Sequence, residues 1–167
     1  MQTIHKMKYL MILGMALSLS SCLKYGLEDN LPKFKDALIT EVFMEYRFED
    51  SKAMSGGSPV VRNVTLTLSQ KQFKRKESTA GASLDSLIFN VTVPAASGSF
   101  TAEEKVKVSK SRLVLMTNIS PAATMEPLEG APQPGLPGDF SQPRKYKITA
   151  ANGDSRIWVV KIGNFTN

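Results

Sequence analysis

One cysteine, Cys22, and one histidine, His5, are the only soft nucleophile and the only imidazole in the chain. Both stand within its first 22 residues. A Ser-His-Asp or Cys-His site needs an imidazole beside its nucleophile, and a zinc or copper site of the usual kind needs Cys or His donors. Neither can be built from the residues beyond Cys22, and a single thiol closes no disulfide. Carboxylates occur as the adjacent pairs Glu49-Asp50 and Glu103-Glu104. Neighbours on a strand point to opposite faces, whereas glycoside hydrolysis needs two carboxyls converging across a cleft. No Gly-rich phosphate loop and no Asp-x-Asp-x-Asp calcium loop is present. The expectation is a protein without catalytic residues, metal or cofactor. An enzyme would require two distant carboxylates to face each other in one pocket.

Binding without catalysis has more candidates. Phe73 lies within a basic run containing Lys71, Lys74, Arg75 and Lys76, and Phe140 lies in a proline-rich stretch. Loops on a rigid scaffold are where binding residues collect, which makes Phe73, Phe140, Lys74 and Arg75 the ligand-binding candidates. Two competing readings stand beside them. Four clustered charges suit an acidic glycan or a lipid headgroup, but more often form a solvated loop. Phe140 either offers a face to a ligand or plugs one end of the fold, and the plug is favoured. Trp158 could stack on a sugar ring, yet it is in phase with Val160 and Ile162. It is therefore assigned to the core with Tyr46 and Phe89.

Ahead of these residues, His5, Lys6 and Lys8 precede an apolar run of eleven residues, Tyr9 to Leu19, too short to span a bilayer and of the length of a secretion signal. Met7 opens a stretch, MKYLMILGMALSLSSC, that is complete as a signal by itself. Leu19-Ser20-Ser21-Cys22 resembles the lipobox of bacterial lipoproteins. The resemblance implies cleavage between Ser21 and Cys22 and lipidation of Cys22 by diacylglycerol and a further acyl chain such as palmitate. Several chains hold a protein on a membrane far more firmly than one. Losing Lys6 and Lys8 with the leader lowers the formal charge from +6 to +4. So small a surplus names no partner, and an exported protein has no reason to meet nucleic acid.

The elements that position these residues are short strands. Residues 1–21 read as leader, 22–36 as lipidated cysteine and tether, and 37–167 as one domain. Val42, Met44, Tyr46 and Phe48 alternate with the charged Glu41, Glu45, Arg47 and Glu49, interrupted only by Phe43, and Ser51 to Pro59 reads as a turn-rich break. Val64, Leu66 and Leu68 predict one half-buried strand, Gln70 to Ser83 a long exposed connection, and Leu87, Phe89, Val91 and Val93 another inward face. Thr101 followed by Glu103 and Glu104 predicts a single N-capped helical turn. Arg112 to Ile119 predicts a strand buried on both faces. Pro121 to Pro143, with six prolines and three glycines, predicts a loop with at most a short strand around Ala123 to Met125. Asn152-Gly153 predicts a tight turn with φ > 0 at both residues, between Tyr146-Ile148 and Ile157-Ile162. Six or seven such strands without any sustained helical period predict an antiparallel β-sandwich.

At that hairpin a wider resemblance emerges. Residues 137–162, PGDFSQPRKYKITAANGDSRIWVVKI, resemble the C-terminal signature of immunoglobulin-like modules in Bacteroidetes envelope lipoproteins: a DFS/DFT-x-P step, a YTVTAEDG hairpin and a closing aromatic strand. Ile39 to Phe48 and Val91 to Thr101 are similar to that group as well. The resemblance implies an immunoglobulin-like sandwich of about seven strands in an outer-membrane lipoprotein. Many such domains have no known function, several accompany polysaccharide-uptake systems, and none contributes catalytic residues. It implies a binding or assembly module with polysaccharide or another envelope protein as partner. A structural spacer or adhesin-type subunit is the alternative. Leu23 to Gly26 separate Cys22 from the acidic Glu28-Asp29, so the cluster that accompanies outward display does not follow the cysteine directly. Asp85-Ser86-Leu87 resembles a short O-glycosylation acceptor, although a plain turn leading into a strand is the favoured reading.

Overall fold

A computed structural model describes residues 33–76 and 84–167. The leader, Ser21, Cys22 and most of the tether lie outside the described residues. Alternation builds the first strand as the sequence predicts. In β1 (Ile39–Ser55), Val42, Met44, Tyr46 and Phe48 are buried, while Phe43 and Glu49 face outward. Then follow β2 (Ser58–Thr65), β3 (Thr67–Lys74) and β4 (Leu84–Thr92), a five-residue helix α1 (Ala102–Val106), and a 3₁₀ turn at Lys110–Arg112. The chain closes with β5 (Leu113–Ile119), β6 (Thr124–Leu128), β7 (Pro137–Gly138), β8 (Arg144–Thr149) and β9 (Ser155–Thr166).

These strands form two sheets, ordered β2-β1-β5-β7 and β3-β4-β9-β8-β6. Between them lies one core, in which Trp158, Tyr46, Tyr146, Phe89 and Met44 are the largest fully buried side chains. The architecture is the expected all-β sandwich. It has nine strands where about seven are read from the sequence, and one pairing, β4 with β9, is parallel.

Four local expectations are corrected. Ser51 to Pro59 is no break: β1 and β2 continue through it as a hairpin whose tip is Gly56-Gly57. Val64 to Leu68 is not one strand, because the chain leaves one sheet at Thr65 and joins the other at Thr67. Leu66 is buried at the crossing and its amide donates to the Met44 carbonyl at 2.9 Å. The proline-rich stretch carries β6 and β7; Pro127 is tolerated because β6 is an edge strand. In the β8–β9 turn only Gly153 has positive φ, +96°, and Asn152 does not. The connection spans five residues and is closed by the Ala150 amide on the Asp154 carbonyl at 2.8 Å.

The DFS step is a structural corner. Asp139 Oδ1 accepts from the Ser141 amide at 2.8 Å, and its Oδ2 accepts from Arg144 at 2.6 Å. This turn drives Phe140 into the core. The closing aromatic strand fixes the start of the domain, since Trp158 Nε1 donates to the Ala37 carbonyl at 3.1 Å. The predicted cap at Thr101 forms, its hydroxyl accepting from the Glu104 amide at 3.3 Å.

Candidate functional site

Phe48 is the last buried residue along β1 and packs with Tyr46 and Phe100, ring centroids 6.1 to 6.5 Å apart. Around this aromatic cluster the β1–β2 hairpin, the loop before α1, α1 itself and the 3₁₀ turn leave three adjoining clefts that all include Phe48. The first, of about 550 Å³, is lined by Glu49, Glu104, Lys107, Ser109, Ser111 and Arg112. The second extends over Asp50, Ser99 and Glu103, and the third over Arg62, Asn63 and Ser97. Together they make an open groove with an apolar floor and walls of hydroxyl, carboxylate, amide and basic groups.

Its polar walls are tied to the floor. Tyr46 donates its hydroxyl to Glu104 Oε1 at 2.7 Å, and Lys107 donates to Glu104 Oε2 at 2.8 Å. Burial works to raise the Glu104 pKa, but the bonds from Lys107 and Tyr46, with Arg112 nearby, outweigh it and hold the carboxyl below its ordinary value. Burial first, and the Glu104 bond second, push the Tyr46 hydroxyl up to about 12. Glu104 is therefore an acceptor at neutral pH and not a proton donor. Glu49 and Glu104 come from distant segments and line the same cleft, the juxtaposition on which an enzyme reading depends. With its pKa lowered and both oxygens bonded, Glu104 itself does not serve as the protonated acid of such a step.

The other sequence candidates fall elsewhere. Trp158, Tyr46 and Phe89 are core residues. Phe140 is 3% exposed, so it offers no face to a ligand and serves as the plug. Phe73 belongs to β3 rather than a loop; it stands opposite Leu87 and remains 38% exposed at the sheet edge. Lys71 is tied to Glu41, whereas Lys74, Arg75 and Lys76 are exposed beyond it. Asp85 and Ser86 lie in β4, with Asp85 fully buried and bonded to Arg156 at 2.8 Å and to the Lys76 amide at 2.9 Å. Among the described residues no three His, Cys, Asp or Glu side chains gather as a metal site. Sequence reading missed the groove because Tyr46 and Glu104 are 58 positions apart. The available signal was a capping motif, Thr101-x-x-Glu104, whose Glu side chain binds Tyr46.

A β-sandwich with a groove at one end and a DFS corner at the plug defines the class. The chain belongs to the DUF5018-related family, whose model matches residues 39–161. Among solved structures it is similar to a Bacteroides fragilis protein presumed to be secreted, with 33% identity and a TM-score of 0.63. That match covers 81% of this chain and all of the other. Among curated proteins none matches. The chain is thus a Bacteroidetes-type domain of a family without assigned function, with a relative presumed to be secreted.

Proposed function

We propose that this chain is a non-enzymatic envelope lipoprotein, anchored in the outer membrane through Cys22, whose groove around Phe48 binds polysaccharide. The observation that carries the reading is the make-up of the groove. Sugars present many hydroxyls, and the groove sets serine, carboxylate, amide and guanidinium groups around the edge of the nearly buried Phe48. Calorimetric titration with neutral and uronic-acid oligosaccharides tests it. Saturable binding is expected, weakened about tenfold by Glu49→Ala or Arg112→Ala, each of which removes a charged hydrogen-bonding group. Turnover of any of these sugars would contradict the non-enzymatic reading. Incorporation of labelled palmitate by the full chain, lost in Cys22→Ala, checks the anchor.

The spacer or adhesin reading would require a usable sheet edge for strand addition. β2 and β3 are edge strands, but both are guarded. β1 is irregular between Asp50 and Met54 beside β2, and β2 carries Pro59 and Arg62. β3 breaks register between Ser69 and Gln72, where Gln70 has φ +50°, and bears Lys71 and Lys74. Bulges, proline and lysines are devices that discourage edge pairing. The groove is the better supported of the two.

A further inference from the structure

The end of the sandwich where the chain arrives from Pro32 is apolar at its tips and basic around them. Phe34 and Leu84 are 60% and 49% exposed. Both are placed at this end by backbone contacts. The Phe34 carbonyl accepts from the Asn152 amide in the β8–β9 turn at 3.2 Å, and Leu84 stands opposite Ile157 near the start of β9. Asp85, the next residue, holds the Lys76 amide, which brings Arg75 and Lys76 to the same end. Lys33 and Lys35 flank Phe34. All four of these cations are exposed. Against them stand the exposed Asp36 and Asp154, while Asp85 is already matched by Arg156.

We propose that this end seats directly on a membrane surface of anionic, phosphate-bearing lipids, in the leaflet that holds the acyl anchor. The geometry rests on the lipidation of Cys22 proposed above, whereas the chemistry of the surface does not. Cations near anionic headgroups gain electrostatic attraction, and an exposed Phe and Leu beside them fit the boundary between headgroup and acyl chain. No helix among the described residues is long and apolar enough to cross a membrane. Ten residues, 23–32, separate Cys22 from Lys33, and ten residues of chain can span at most about 35 Å. β1 advances nine residue steps from Ile39 to Phe48, roughly 30 Å, so the groove faces away from the bilayer while the basic end rests on it.

The test uses the unit Lys33–Asn167, which is compact in itself and equivalent in extent to a relative solved as a separate chain. Its sedimentation with vesicles of phosphatidylcholine alone is compared with vesicles that also contain phosphatidylglycerol. Binding is expected only with phosphatidylglycerol and is expected to weaken as salt is raised. The double variant Lys35→Ala/Lys76→Ala should bind about 25-fold more weakly, about fivefold per cation removed, with its melting temperature retained. Phe34→Ser should weaken binding without altering the fold. Equal binding to both vesicles, undiminished binding by the double variant, or capture of a soluble acidic polysaccharide with none of vesicles would each overturn the proposal. Because this unit lacks Cys22, a failure here is distinct from a failure of lipidation, which the palmitate experiment reads.

Discussion

Asp85 is a charge with no exposure to water, and its neighbours explain why it is tolerated. Burial raises its pKa, but hydrogen bonds from Arg156 and the Lys76 amide, with Arg75 close by, more than compensate and leave it below the ordinary value. A depressed carboxylate pKa contributes stability above its unfolded value of about 4, and that contribution disappears as pH falls through the folded value. Asp85→Ala should therefore cost about 3 kcal/mol near neutrality, by removing the buried carboxylate that accepts from Arg156 and from the Lys76 amide, and less in acid. Urea denaturation at neutral and acidic pH checks both statements. The sequence gives no hint of this pair: Asp85 and Arg156 are 71 residues apart, and the local triplet Asp85-Ser86-Leu87 suggests an acceptor for sugar or a turn. Trp158 and Phe89 are the opposite case. Their phase along a strand is enough to bury them.

At the level of elements, period-two alternation is legible wherever one face meets the core. It cannot reveal that Val64 and Leu68 belong to different sheets. Both sheets face the same interior, so inward residues keep alternating through the crossing at Leu66. The proline-rich stretch is harder to read for a different reason. Its order comes from packing against distant residues: the Tyr146 hydroxyl donates to the Pro132 carbonyl at 2.9 Å, and Arg47 donates to the Gly135 carbonyl at 2.8 Å. Gly138 marks how tightly this segment is laid down, because a Cβ there would collide with the Pro132 ring. Gly138→Ala should destabilise the protein by about 1–3 kcal/mol, as overpacking does. Hydrogen exchange should show the loss first in Gly135 and Leu113 to Leu115, whose backbone pairs with this segment. Unchanged exchange there would mean that the segment yields freely.

The whole molecule has two unlike ends. β9 starts at the basic end and finishes near α1, where Asn167 donates to the Lys105 carbonyl at 3.1 Å. β1 likewise runs from the Ala37 corner to the groove. Fold class is readable from short patterns, since a strand is a local signal. The groove is not, because it assembles side chains from the β1–β2 hairpin, the residues before β5 and the loop ahead of α1. The central claim is that saccharide is bound at the groove end and nowhere else. Amide chemical-shift mapping of Lys33–Asn167 during oligosaccharide titration tests this most directly. Shifts should concentrate at Phe48, Ser99, Glu104 and Ser109 and leave Phe34 and Leu84 unmoved. No shifts at saturating sugar, or shifts confined to the outer face of the five-stranded sheet, would contradict it.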